Sequence, residues 1–185
     1  LRFRLVKTRY LLGKEAEAEQ DFSVVVAGLE PEAVGERILE LQRYLRTIDR
    51  LDAAAHYLED YVRRNPDRLS VARELAEIYL ARDQAAAINP LVESLKIDQA
   101  SSDEIADLSG FLIQEGFLES AQVLLVQRIK AVPESFDLGL MLVEVYGELG
   151  DEGQVATFAS RMGELADTPE RYSRWIASAV VANTK

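Results

Sequence analysis

A pair of large apolar residues, four positions apart, recurs four times along this chain. The pairs are Leu41/Leu45, Leu75/Tyr79, Leu108/Leu112 and Leu142/Tyr146, so each follows the last by thirty-three or thirty-four positions. About a dozen residues further on, a smaller residue keeps the same rhythm, at Ala54, Ala87 or Ile88, Ala121 and Val155. A fixed period in the thirties is typical of a solenoid, in which each unit buries its apolar face only against its neighbours. The pattern therefore predicts an architecture, and it favours the binding of another macromolecule without indicating which one.

The secondary structure predicted from the pattern is helical almost throughout. Apolar residues recur at helical spacing, and strand signals are nearly absent. Glycine or aspartate punctuates the middle of each unit, at Gly13, Asp49, Asp83, Gly116 and Gly150. Glycine tolerates the left-handed conformation that commonly ends a helix, and we expect each aspartate to cap the helix that follows. Four of the five prolines, at positions 31, 66, 133 and 169, then fall at unit ends.

These signals divide the chain into five helical hairpins and a last helix. The predicted units are residues 1–31, 35–66, 69–99, 102–133 and 136–167, the first of them degenerate. Residues 169–183 follow, with a stripe formed by Tyr172, Trp175, Ile176, Ala179 and Val180. Such a stripe is expected of a capping helix that covers the open end of a stack. We therefore predict one domain over residues 1–185, as part of a larger protein.

One irregularity interrupts the third unit. Asn89-Pro90 falls where the second helix of that unit should continue. Proline inside a regular helix costs about 3 kcal/mol, because it removes a hydrogen bond and clashes with the preceding turn. We expect a separate turn over residues 84–88, and then a short helix that begins at Pro90 with Asn89 as its cap.

The pattern resembles the tetratricopeptide repeat (TPR) family, most clearly in the fourth unit. The stretch IADLSGFLIQEGFLESAQVLLVQRIKAVP presents large, small, large, glycine, alanine, large and proline positions in the order of that family, at Leu108, Ser109, Leu112, Gly116, Ala121, Leu125 and Pro133. The stretches LAEIYLARD and LVEVYGELGD match in the first helix of their units. The resemblance implies an all-α fold, a right-handed α-solenoid of about five antiparallel helix pairs. Related helical-pair repeats are the alternative.

The charge of the chain is unevenly distributed. Residues 1–68 carry 12 Lys and Arg against 13 Asp and Glu, whereas residues 69–185 carry 9 against 19. An acidic half repels phosphate backbones and anionic lipid, so nucleic acid and bare membrane are poor partners. Basic peptides, or simple solubility, remain as explanations of the acidic half.

Composition says little about compartment. No stretch approaches the roughly 18 consecutive apolar residues of a membrane span, so this segment is not expected to insert into a membrane. The chain has no cysteine, which removes disulfides and thiolate chemistry and fits either a reducing or an oxidising compartment.

No catalytic signature is present in the sequence. A phosphate loop, a His-Glu-x-x-His motif and a Cys/His cluster are all missing, and no cofactor is implied. His56 is the only histidine and lacks neighbours of a metal-binding or catalytic type. The paired carboxylates flank helix starts, where they favour the positive end of the dipole. We predict no catalytic residues and no metal site.

The family resemblance implies a concave groove lined by the first helix of each hairpin. The residues it places there run from basic through small and apolar to acidic: Arg43, Arg46, Arg73, Glu77, Leu80, Ala106, Gly110, Ile113, Gln114, Glu144 and Glu148. A bound peptide could meet the arginines with carboxylates, the Gly110 region with an apolar anchor, and the glutamates with a basic residue. The alternative is an ordinary solvated helix face.

Two functions follow from this interpretation. The first is a non-catalytic scaffold, of bacterial composition, that binds a protein or peptide segment in its groove. The second is an envelope assembly module, such as the periplasmic helical region of a polysaccharide-export or outer-membrane assembly protein. Neither the compartment nor the oligomeric state is indicated by these residues.

Overall fold

The computed structural model describes residues 1–98 and 100–183 and is built from helices. Within those residues it contains α1 (Arg2–Leu11), α2 (Glu15–Val26), α3 (Pro31–Thr47), α4 (Leu51–Arg64), α5 (Leu69–Ala81), a 3-10 helix (Ala85–Ala87), α6 (Ile88–Glu93), α7 (Ser102–Gln114), α8 (Leu118–Ala131), α9 (Phe136–Leu149), α10 (Glu152–Glu164) and α11 (Pro169–Asn183). No strand occurs among the described residues. The all-α prediction is confirmed.

Consecutive helices form antiparallel hairpins. α1 packs on α2 and α3 on α4, and further along the chain α7 packs on α8 and α9 on α10. These pairs are joined by turns of two or three residues, so the partners must run in opposite directions. The helix boundaries lie within a few residues of the predicted units, except that residue 99, the predicted end of the third unit, lies outside the described residues.

The chain forms two compact units, Leu1–Ile88 and Asn89–Lys185, each with its own apolar core. In the first unit the fully buried side chains include Leu41, Leu45, Leu58, Leu75 and Ile78. In the second they include Leu108, Leu112, Leu124, Leu142 and Val145. All residues of the recurring pairs except the half-buried Tyr79 thus lie in the cores, because the period places them where a first helix meets its neighbours. A single domain over residues 1–185 stays a prediction.

Every hairpin turn contains one residue in the left-handed conformation. These residues have φ between 56° and 82° and are Gly13, Asp49, Asp83, Gly116 and Gly150. The backbone N–H of the next residue donates to a carbonyl five positions earlier, at 2.8–3.0 Å, in each of the five turns. This bond satisfies a carbonyl that the end of the first helix would otherwise leave open. The turn therefore ends one helix and starts the next at a fixed angle.

The two aspartates in these turns do not act as the sequence suggests. Asp49 and Asp83 both adopt φ of 56°, the conformation that glycine adopts in the other turns. The helices that follow them show no side-chain cap from either aspartate. Aspartate is among the few residues that tolerate this conformation, because its short polar side chain can bond locally. The expected capping role is wrong, and the aspartates substitute for glycine.

Small residues allow the helices to approach closely. Ala54, Ala76, Ser109 and Ala121, which are small residues of the helical hairpins, are all buried. A further close contact, at Gly147, was missed by the sequence analysis. A Cβ at this position would lie only 2.7 Å from the Cα of Ala182 in α11. Any larger residue at position 147 would push α11 away from α9.

The third unit is irregular, as predicted, but its short helix begins two residues earlier than predicted. Its second half consists of the 3-10 helix and the short α6, which begins at Ile88 and not at Pro90. Pro90 therefore sits in the first turn of α6, where its missing N–H removes no intrahelical bond. Asn89 lies inside the helix and its Oδ1 accepts a hydrogen bond of 2.6 Å from the Ser120 hydroxyl of α8.

We expect Gly116→Ala to lower the free energy of unfolding by about 1–2 kcal/mol, because a side chain disfavours the left-handed conformation by about that amount. Steric overlap is not the cause, since no other atom lies within 4 Å of the position a Cβ would take. Urea unfolding of the full chain, followed by circular dichroism, measures the change.

The matched control is Gly153→Ala, an exposed glycine in the first turn of α10. Its Cβ would meet its nearest neighbour, Asp151 Oδ1, at an ordinary 3.6 Å. Alanine favours helix over glycine by up to about 1 kcal/mol, so this variant should be as stable as the parent or more so. Equal losses at both positions would show that the left-handed turn is not what Gly116 provides.

Candidate interaction surfaces

The residues predicted to face a partner all lie on first helices of hairpins, and each is at least partly exposed. On α3 and α5, in the unit Leu1–Ile88, are Arg43, Arg46, Arg73, Glu77 and Leu80. On α7 and α9, in the unit Asn89–Lys185, are Ala106, Gly110, Ile113, Gln114, Glu144 and Glu148. Their role in binding stays a prediction.

Among the predicted residues on α3 and α5, a group of ion pairs joins the two helices, and we call it the ion-pair ladder. The Arg46 guanidinium lies 3.1 Å from one carboxylate oxygen of Glu77 and 3.6 Å from Glu74. Arg73 reaches the other oxygen of Glu77 at 3.4 Å. The basic end predicted from the sequence is therefore balanced by carboxylates of the neighbouring helix.

A buried glutamine supports this ladder from the inside. Gln42 has no exposed surface, and its Nε2 donates to Glu74 Oε2 at 2.9 Å. Its Oε1 has no hydrogen-bond partner among the described residues, which costs about 1–3 kcal/mol. The charge-assisted bond to Glu74 offsets part of that cost and holds the carboxylate near Arg46.

Arg43 differs from the other two arginines. It is exposed, and among the residues that the structure describes no carboxylate pairs with it. Of the three predicted arginines, Arg43 alone can therefore meet an incoming anion without first giving up an ion pair.

Among the predicted residues on α7 and α9, the small residue Gly110 of α7 lies beside α9. Gly110 is half-buried, and the Met141 Cε of α9 lies 3.9 Å from the point where a Cβ would stand. Ala106 and Ile113 are half-buried on the same helix, and Gln114 is exposed at its end. Ala106, Gly110 and Ile113 thus form a small and apolar part of the α7 surface, and their role in binding stays a prediction.

A cleft of about 420 Å³ lies between α9 and α11, and we call it the α9–α11 cleft. Its lining residues are Asp137, Leu140, Met141, Glu144, Arg174, Ala177, Ser178 and Val181. Asp137 and Arg174 pair across the two helices at 2.7 Å. Glu144 is exposed and contributes a carboxylate beside the apolar side chains. The cleft offers an apolar surface next to a negative charge.

The sequence analysis missed the contribution of α11 to this cleft. It assigned the helix to capping, and so it considered only the stripe from Tyr172 to Val180. Ala177 and Val181, four residues apart, form a second apolar row on the side of α11 that faces α9.

A second cavity, of about 440 Å³, lies in the unit Leu1–Ile88 between α2, the start of α3 and α4. Its wall includes Phe22, Val26, Ile38, Tyr57 and Tyr61. The rings of Phe22 and Tyr57 meet edge to face, with centroids 4.8 Å apart. No sequence signal pointed to this cavity, because it forms where α2 packs only lightly on α3.

The tyrosine hydroxyls of this cavity are used within the fold. The Tyr57 hydroxyl lies 2.9 Å from that of Tyr10, and the Tyr61 hydroxyl donates to the Pro31 carbonyl at 2.9 Å. Burial raises the pKa of Tyr57, so its hydroxyl stays protonated at any physiological pH. The cavity wall is structural, with carboxylates of Glu19 and Asp60 at its edge.

Residues 1–98 and 100–183 offer no group of three or more His, Cys, Asp or Glu side chains that could hold a metal ion. The single histidine, His56, is exposed on α4. Across the same residues, none of the helices combines the length and apolar character that a membrane crossing requires.

The chain matches no protein-family model and no curated protein. Solved structures similar to it include YrrB, a TPR protein with an unusual peptide-binding site, with 10% identity over 100% of this chain and 91% of that chain and a TM-score of 0.47. A Podosopora anserina kinesin light chain protein with nearly identical TPR-like repeats has 18% identity over 89% and 92% of the two chains and a TM-score of 0.47. A thermophilic TPR protein of Thermus thermophilus has 17% identity over 97% of each chain and a TM-score of 0.42.

With TM-scores below 0.5, these likenesses carry no argument about what the chain binds. Three features of the chain itself make it a series of TPR-like helical hairpins. These are the nearly constant repeat period, the left-handed residue in every turn and the buried small residues at the helix contacts.

For the ion-pair ladder, we expect Glu77→Gln to lower the free energy of unfolding by about 0.5–1 kcal/mol. The substitution removes the charge that Arg46 and Arg73 share, and partly exposed pairs contribute little each. The loss should shrink in about 1 M NaCl, where charges are screened within roughly 3 Å. Urea unfolding at low and high salt measures both values.

Asp60→Asn is the control for the ladder. Asp60 pairs with Arg63 and Arg64 along α4, and both arginine side chains are 73% exposed. Pairs this exposed within one helix contribute about 0.2–0.5 kcal/mol, so the loss should be smaller than for Glu77→Gln. A salt-independent loss at Glu77 would mean that the residue acts through packing.

Proposed function

We propose that the chain is a non-catalytic interaction scaffold that binds a segment of a partner protein on the first helices of its hairpins and on α11. The observation that carries this proposal is the α9–α11 cleft. It combines an apolar lining with the exposed carboxylate of Glu144, on helices that pack on the core. Binding sites typically combine a mostly apolar concave surface with a few placed polar groups.

The cleft indicates what kind of segment it would take. Leu140, Met141 and Val181 can receive one large apolar side chain of a peptide, and methionine adapts its shape to different partners. Glu144 has its carboxylate available to a lysine or arginine a few residues away. The preferred segment therefore carries an apolar anchor next to a basic residue.

The α3–α5 surface supports a weaker contribution. Arg43 can meet a carboxylate of the partner directly. At Arg46 and Arg73, an incoming carboxylate must instead compete with the carboxylate of Glu77, which already pairs with both arginines. The gain from a new ion pair is then largely offset by the one that is lost. We propose that basic residues of the partner matter more for affinity than its acidic residues do.

The proposal predicts a charge preference that an array of synthetic peptides can test. One set of short peptides places Leu or Phe a few positions from Lys or Arg, and a matched set replaces each Lys or Arg by Glu. We expect the full chain to retain the basic set and not the acidic set. Equal retention of both sets would contradict the predicted role of the acidic surface.

Glu144→Lys locates the site on the cleft. The variant should weaken binding of a retained basic peptide at least tenfold, because an attraction of about 1.4 kcal/mol or more is lost. Glu164→Lys makes the same charge change at an exposed position on α10, outside the cleft lining, and should alter affinity little. Fluorescence anisotropy of a labelled peptide measures both. Equal effects of the two variants would mean that only net charge attracts the peptide.

A further inference from the structure

The cavity between α2, the start of α3 and α4 has the size and the lining of a small-molecule site. Its volume of about 440 Å³ falls within the roughly 300–1,000 Å³ that is usual for such sites. All of its lining residues lie within positions 19–65, in the unit Leu1–Ile88. Phe22 and Tyr61 are buried in the wall, and Tyr57 is half-buried there. The wall therefore offers the apolar and aromatic surface on which small ligands typically bind.

Both tyrosines of the wall are held in position by hydrogen bonds. The Tyr61 hydroxyl donates to the Pro31 carbonyl, and a Cβ at Gly35 would lie only 2.6 Å from the hydroxyl oxygen. Glycine is unfavourable inside a helix, and at position 35 it makes room for this tyrosine. The Tyr57 hydroxyl is engaged with that of Tyr10. The wall is thus formed before any ligand arrives, and it presents ring carbons to the cavity in place of free hydroxyls.

One carboxylate at the edge of the cavity has no counter-ion. The Asp60 carboxylate already pairs with Arg64 along α4, at 2.7 Å. Glu19 on α2 is exposed, and among the described residues no basic side chain pairs with it. Burial is the main cause of the raised pKa of Tyr57, and the negative charge of Glu19 adds to it, so this charge acts on the aromatic wall. The cavity therefore joins an apolar interior to an uncompensated negative charge.

We propose that this cavity binds a small organic cation, an amine whose body is aromatic or branched aliphatic. The body contacts the apolar wall, and the ammonium group pairs with the Glu19 carboxylate at the edge. A positive charge near the Tyr57 ring is also attracted by the electrons of the ring face. A lysine side chain of a partner protein has the charge but only a thin stem, which leaves much of the volume without contacts.

The charge preference is tested by fluorine NMR titration of the full chain with three matched probes. They are para-fluorophenethylamine, which is a cation at neutral pH, the alcohol in which a hydroxyl replaces its amino group, and the anion para-fluorophenylpropionate. We expect the amine to bind with a Kd below about 1 mM, the range open to a ligand of this size. The alcohol should bind about threefold more weakly, because an exposed ion pair adds a modest attraction, and the anion at least tenfold more weakly. A weaker Kd for the amine, or equal affinity for the amine and either other probe, overturns the proposal.

Glu19→Gln tests which group supplies the preference. The variant should bind the amine about threefold more weakly and the alcohol as tightly as the parent does, so the amine loses its advantage. Glu17→Gln is the control, since it makes the same charge change on α2, two residues away and outside the cavity lining. It should leave both affinities unchanged. Equal effects of the two variants would mean that only net charge attracts the amine, and they would overturn the assignment to this cavity.

Val26→Phe tests where the body of the ligand lies. Val26 is a half-buried residue of the lining, and a phenyl ring there should occupy part of the cavity and weaken binding of the amine at least tenfold. Val24→Phe, at an exposed position of the same helix outside this lining, should change nothing. Urea unfolding establishes that both variants are folded, and Glu19→Gln decides the matter if Val26→Phe is not. Undiminished binding by folded Val26→Phe overturns the proposal.

Competition distinguishes a small molecule from other occupants. Basic peptides that the chain retains through the α9–α11 cleft should not displace the amine, so the two proposals can fail separately. Displacement of the amine by those peptides would show that a partner segment fills the cavity, and it would overturn the small-molecule proposal. Sedimentation velocity of the unliganded chain should show a monomer. A dimer that the amine dissociates would show that a second copy fills the cavity, with the same consequence.

Discussion

Each hairpin is held in shape by one hydrogen bond across its left-handed turn. The bond joins the N–H after Gly13, Asp49, Asp83, Gly116 or Gly150 to a carbonyl in the last turn of the first helix. Because it fixes where one helix ends and how the chain reverses, it sets which faces of the two helices meet. The small residues at the contacts then decide how close they come. A change in turn geometry would disturb both, since helix packing tolerates few alternative separations.

Packing leaves two kinds of surface available. The first helices carry partly exposed side chains. In addition, α9 and α11 enclose an apolar cleft between them. The outer side of α11 is different, since Tyr172, Ile176 and Val180 form an apolar row that is exposed there.

Charge could be read from the sequence only in outline. The excess of acidic residues beyond position 68 was evident, and Glu144 does stand exposed beside the α9–α11 cleft. The arginines of α3 and α5 were read as a basic end, yet Arg46 and Arg73 pair with Glu77. The partner of an arginine across two helices depends on axial register, which the repeat period does not specify to within one side chain.

The helical class, the hairpin spacing and the positions of the turns were all predictable from the residues, because periodicity, glycine and proline act locally or at a fixed distance. The left-handed conformation of Asp49 and Asp83 was not, since aspartate also caps helices and the two roles look alike in a sequence. The α9–α11 cleft and the exposed side of α11 were missed as well. Whether Ile176 and Val180 are covered depends on the presence of another helix beside them, and an apolar pair looks the same in either case. Packing in three dimensions decides that, because burial is a property of neighbours and not of residues.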